Sequence, residues 1–124
     1  MRSLSFLLVT VTFATACGNP ASSTPTTGLT GVVVRGPITP VCRIDIPCDA
    51  PFSAGFSVQQ NGRRIGQFRS DTEGRFTVWL SHGAYTVVPD ADAPLMAPTF
   101  QARSVEVGGT GLTIVRLEFD TGIR

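Results

Sequence analysis

The sequence predicts a small all-β protein, a seven-stranded antiparallel β-sandwich, and three observations lead there. Nine Pro and thirteen Gly are scattered among short apolar runs, a composition that breaks long helices and suits many strands joined by turns. Phe76, Val78 and Leu80 alternate with Thr77, Trp79 and Ser81, and after His82-Gly83 the alternation resumes with Tyr85 and Val87. Period two on both sides of a Gly-containing pair marks a β-hairpin with one buried face. Asn61-Gly62, the strongest short hairpin signal, joins two further runs. The 124 residues leave room for one domain, and 42% hydrophobic content is enough for a core whose modest stability would gain from a covalent staple.

The first strand is expected after an export segment. Residues 1–16 have a basic start at Arg2, an apolar run too short to span a bilayer, and small residues before Cys17, which fits a signal peptide. Ala14-Thr15-Ala16-Cys17 resembles the lipobox of bacterial lipoproteins, with Ala14 where Leu is usual. That resemblance implies an acylated Cys17 and a lipid anchor in the cell envelope, and Gly18 after it implies the outer membrane in a host with two membranes. The alternative is an ordinary secretory signal followed by a free thiol. Three cysteines in an exported chain favour the lipid, because Cys17 would otherwise stay unpaired, and more than one acyl chain anchors stably. Residues 17–27 are then the acylated Cys and a Pro/Ser/Thr tether with too little apolar surface to fold. Ten extended residues reach roughly 30 Å. The folded domain is expected over 28–124.

Leu29 to Arg35 is a continuous apolar, β-branched run, as expected of a strand buried on both faces or paired near a sheet centre. Gly36-Pro37 ends it. The segment from Cys42 to Cys48 is too Pro-rich for a central strand; in an oxidising compartment its two cysteines should pair. Zinc would need about four ligands and the spacing is not that of a close pair, so a metal site is the weaker reading. Around Asn61-Gly62, a two-residue turn sets Val58 opposite Ile65, and Phe68 then has the wrong parity unless a bulge at Gly66 resets it. Asp71-Thr72-Glu73-Gly74 is an acidic turn whose Gly can take positive φ. Beyond the central hairpin come a Pro-rich loop from Pro89 to Pro98, a strand at Arg103 to Val107, a Gly-rich turn at Gly108 to Gly111, and a last strand where Val115, Leu117 and Phe119 alternate with charged residues.

Ser70-Asp71-Thr72-Glu73-Gly74-Arg75-Phe76, followed by Leu80, Gly83 and Tyr85, resembles the signature of carboxypeptidase regulatory-like domains, which belong with transthyretin-like and immunoglobulin-like β-sandwiches. Gly31-Val32-Val33 fits the same pattern. The resemblance runs from about Leu29 to the C-terminus. It implies an accessory, folding or attachment module, with no catalytic partner encoded here. Gly36-Pro37 with Cys42 and Cys48, and the ending Asp120-Thr121-Gly122-Ile123-Arg124, look like a subgroup of exported bacterial domains of this kind.

The inventory of reactive side chains points away from catalysis. His82 is the single histidine, and Ser81 beside it in sequence points elsewhere, so a hydrolase triad finds no support. Asp90 and Asp92 lack the longer ligand pattern of a calcium loop. A net charge of +1, with Arg2 counted and Lys absent, leaves no electrostatic footprint for nucleic acid. Trp79 falls on the face opposite Phe76, Val78 and Leu80. It can pack under the Pro-rich loop or across the strand, or stand exposed to stack on a sugar or anchor a protein. Arg75 and Arg64 are candidate neighbours in a small basic patch. The expectation is a non-catalytic lipoprotein domain with a structural or protein-interaction role and no cofactor, reaching the membrane through its lipid and an envelope protein through its surface, by adding a strand to a partner's edge. A carbohydrate-binding module built on Trp79 is the alternative.

Overall fold

Side-chain parity sets which residues turn inward, and the computed structural model, which describes residues 24–124, follows that parity into two stacked sheets. The strands are β1 (Gly28–Gly36), β2 (Ala50–Pro51), β3 (Gly55–Gln60), β4 (Arg63–Arg69), β5 (Arg75–Trp79), β6 (Gly83–Pro89), β7 (Arg103–Val107) and β8 (Leu112–Asp120). One sheet has β1 at its centre. The other runs β4-β3-β6-β7. The strand count is eight rather than seven, because Ala50–Pro51 pairs with the end of β1 at Arg35 and Val34.

The arrangement is also not wholly antiparallel. Along one side of β1 lies β8, in parallel and in register from Gly28 opposite Leu112 to Gly36 opposite Asp120. On its other side β5 covers the first half and β2 the second, both antiparallel. A strand with neighbours on both sides bears out the reading of the continuous apolar run. Gly31 lets β1 and β8 approach so closely, since a Cβ there would run into the Val115 carbonyl.

Between the sheets, phenylalanines form a continuous stack. Phe119 meets Phe56 at 5.6 Å, Phe56 stacks on Phe68 at 5.0 Å, and Phe68 stacks on Phe76 at 4.4 Å, crossing from one sheet to the other and back. Leu29, Val33, Val58 and Val87 are wholly buried around them. Such aromatic contacts add to what burial alone contributes.

The β3–β4 hairpin does contain a bulge, but its register differs from the expected one. Val58 pairs with Gly66 and Gln59 with Arg64, so Ile65 is the extra residue. It is 47% exposed. Gly66 takes the inward position, facing Leu80, and Phe68 keeps its place in the core.

The sandwich has two distinct ends about 30 Å apart, the length of nine extended residues. The chain enters at one end, where Thr27 is buried, its hydroxyl donating to the Leu80 carbonyl at 2.6 Å. There too lie the turns Asn61-Gly62, Ser81-His82 and Gly108 to Gly111. At the far end are the Cys42–Cys48 loop, the acidic turn, the Pro-rich loop with its short 3₁₀ turn Pro98–Phe100, and the C-terminal tail.

Candidate functional site

Strand alternation places three rows of side chains on the outer face of the β1 sheet. Trp79, Gly28 and Leu112 form the first row, Thr77, Thr30 and Ile114 the second, and Arg75, Val32 and Arg116 the third. Trp79 is 53% exposed, which overturns its packing under the Pro-rich loop, and Ile114 is 83% exposed. Thr30 and Thr77 share a hydrogen bond of 2.9 Å across the strands. An open groove of about 1050 Å³ runs over this face, with Thr77, Ile114, Arg75 and Arg116 among its walls and Arg69 and Asp71 at its margin.

Of the expected basic patch, Arg75 belongs to this face and pairs with Glu73 at 3.3 Å, both side chains well exposed. Such a pair adds little stability. Arg64 does not join it. β4 lies in the other sheet, where Arg64 turns to the opposite outer face beside Gln59 and bonds to Gln67. Arg116, which the sequence reading passed over, stands in its place. Bonded first to Glu118 at 3.1 Å and then to Asp49 at 2.8 Å, its guanidinium holds its proton even more firmly than usual.

The free edge of β8 is half covered. Asp120 donates its main-chain N–H to Gln101 Oε1 at 2.7 Å and accepts from Gln101 Nε2 at 2.9 Å, and Arg103 Nε donates to the Glu118 carbonyl at 2.9 Å. The same alternation turns the peptide groups of Ile114 and Arg116 outward. Among the described residues, these have no partner beyond the β1 ladder. That stretch is an open strand edge.

At the far end, Cys42 and Cys48 form the expected disulfide, with Cα atoms 5.5 Å apart. The loop that it closes exposes Ile44 at 92% and Ile46 at 58%, and Val41, just before Cys42, is 72% exposed. This apolar cluster was missed in the sequence, where the segment reads only as a Pro-rich connection. Two branched aliphatics inside a short, covalently closed loop that cannot reach the core, with a third just before it, were the available signal. Thr121 fastens the tail to the base of the loop, donating from its N–H to the Gly36 carbonyl at 3.0 Å and from its hydroxyl to the Pro37 carbonyl at 2.6 Å. The Arg124 guanidinium, followed by the Gly122 N–H, holds the Asp120 carboxyl below its usual range.

His82 is exposed in the β5–β6 turn, and the Ser81 carbonyl next to it accepts the Tyr85 hydroxyl at 2.6 Å. Among the described residues, no three His, Cys, Asp or Glu side chains are grouped to hold a metal ion, and no helix is long and apolar enough to cross a membrane. Cys17 and the expected signal peptide lie outside the described residues.

No family model matches the sequence, and no curated protein matches it. A solved structure does: a DUF3823 family protein from Bacteroides ovatus, with a TM-score of 0.50 and 22% identity over 74% of this chain and 44% of that one. The likeness is one of fold. The chain spans less than half the length of that protein, and at this identity the shared feature is its β-rich architecture.

Proposed function

We propose that the chain is a non-catalytic, lipid-anchored domain of the bacterial cell envelope with a structural or protein-interaction role, of the carboxypeptidase regulatory-like, transthyretin-like kind. The observation that carries this reading is the Cys42–Cys48 disulfide, outside the core with Cys42 exposed and Cys48 half-buried. A bond of that kind persists in an oxidising compartment, which is where the N-terminal signal and lipobox would deliver the chain. The open edge of β8 at Ile114 and Arg116 supports an interaction role, since an extended partner segment can add a strand there. Replacing Cys17 with Ser is expected to move the protein from the membrane fraction to the soluble fraction. Undiminished membrane association in that variant would end the anchored reading.

The exposure of Trp79 beside the groove favours a second reading, a carbohydrate-binding face. A ring open on a flat sheet can stack on a sugar. Saturable quenching of Trp fluorescence by an envelope glycan, lost in Trp79→Ala, is the expected sign. Absence of quenching across a panel of glycans would leave the interaction role alone.

A further inference from the structure

Main-chain hydrogen bonding fixes which peptide groups of β8 are open. Thr27 accepts from the Leu80 N–H at 3.0 Å and Val33 donates to the Gly74 carbonyl at 2.8 Å, so the odd residues of β1 face β5. Its even residues therefore face β8, where Gly28, Thr30 and Val32 stand opposite Leu112, Ile114 and Arg116. In a parallel pair each such residue bonds to the neighbours of the residue opposite, which turns the peptide groups of Leu112, Ile114 and Arg116 away from β1. Gln101 and Arg103 cover the edge only beyond them, at Asp120 and Glu118. Native edges are blunted by charge, Pro, a bulge or a covering loop. This stretch has no Pro and no bulge, its one charge, Arg116, is engaged by Glu118 and Asp49, and its middle residue is Ile114 at 83% exposure.

We propose that this edge pairs with the same edge of a second copy of the chain, antiparallel about a two-fold axis through Ile114. The proposal rests on the interaction reading of the β8 edge and names its partner. Three open residues spaced by two are symmetric about the middle one, as a two-fold contact requires. The pairing sets Ile114 opposite the partner's Ile114 and Leu112 opposite the partner's Arg116, and all six open N–H and C=O groups of each copy find a partner. The neighbouring registers fit worse. With the axis at Val115, Leu112 meets Glu118, whose carbonyl Arg103 already holds at 2.9 Å. With the axis at Thr113, Arg116 meets Thr110, which lies in the turn before β8.

Side chains and charge agree with that register. The two Ile114 Cα atoms come about 5.5 Å apart, so each side chain covers the other, and Leu112 lies along the apolar stem of the partner's Arg116. On the inner face Thr113 meets Val115, which already packs against the core. The two Arg116 Cα atoms stand four residues apart along the ladder, about 14 Å, beyond the reach of unscreened repulsion at physiological salt. Residues 24–124 carry nine Arg against nine Asp and Glu, so copies do not repel at long range. The outer edge of β5 is a shorter platform, open only at Thr77 and Trp79, because the Asp71 turn closes it at Arg75. A ladder of five residues is small for a dimer in free solution, and weak association is its expected form. Pairing does not depend on how the sandwich stands on a membrane. The two chain entries, at Gly28 beside Leu112, fall about 20 Å apart in the joined sheets, close enough for two tethers from one surface.

The test uses the full chain in the cell that makes it, in two differently tagged versions that carry a photo-crosslinking amino acid at Leu112. The expected product is an adduct with both tags, attached within residues 114–118 of the other copy. Ile114→Lys places a charge on a side chain that touches little of its own fold, and Ile114→Pro removes an N–H that the fold does not use. Each should cut the yield about tenfold or more, since the central pair of hydrogen bonds or the contact between the isoleucines is lost. A two-tag adduct that maps elsewhere, or that both variants leave intact, would overturn the pairing. An adduct with a different protein only, lost in both variants, would overturn the second copy and leave the edge as an interaction site. No adduct of either kind would overturn both.

Discussion

At the residue scale, Ser70 does more than its size suggests. It is 2% exposed, donates its hydroxyl to the Phe52 carbonyl at 2.8 Å and accepts the Ala54 N–H at 3.0 Å, which locks the start of β3 to the end of β4. Removing the hydroxyl leaves both main-chain groups buried without that partner. Ser70→Ala is therefore expected to lower stability by about 1–3 kcal/mol. Urea denaturation should register this as a lower midpoint with an unchanged slope. Parity made much of the core legible at this scale. Phe76, Val78, Leu80, Tyr85 and Val87 face inward as the alternation requires, and Trp79 faces out. Ile65 broke the rule because a bulge is a choice between two neighbours: placing the extra residue at Ile65 puts Gly66 inside opposite Leu80, and placing it at Gly66 would put an isoleucine there. Packing across the hairpin decides between them, and a local pattern carries no record of it.

At the element scale, the stapled loop is covalently closed and largely outside the core. Replacing Cys42 and Cys48 together by Ser should lower stability by about 2 kcal/mol through the looser unfolded chain. The double variant should keep the sandwich, with the same β-type circular dichroism and a lower thermal midpoint. Loss of the fold would mean that the loop organises the far end rather than capping it. The pairing itself was readable from the two cysteines and the oxidising compartment that the sequence leads one to expect. The exposure of Val41, Ile44 and Ile46 was not, because hydrophobic residues in a sequence are credited to a core until the geometry of the chain denies them one. The two-residue β2 was invisible for a simpler reason: Ala50–Pro51 is too short to show a period and contains a residue that strands avoid.

At the scale of the whole molecule, the parallel pairing of β1 with β8 was the least legible feature. A parallel ladder between the first and last strands has no turn to announce it and no spacing to betray it. It nevertheless completes the central sheet, and Leu117 and Phe119 bring its last share of core. Deleting residues 112–124 is therefore expected to leave a chain without the dispersed amide spectrum of a fold, measurable by proton NMR. A polypeptide that emerges residue by residue from a ribosome can pair β1 with β2 and β5 early, but the other side of β1 stays bare until residues 112–120 are free. Such a chain stays slack along its centre and sets late.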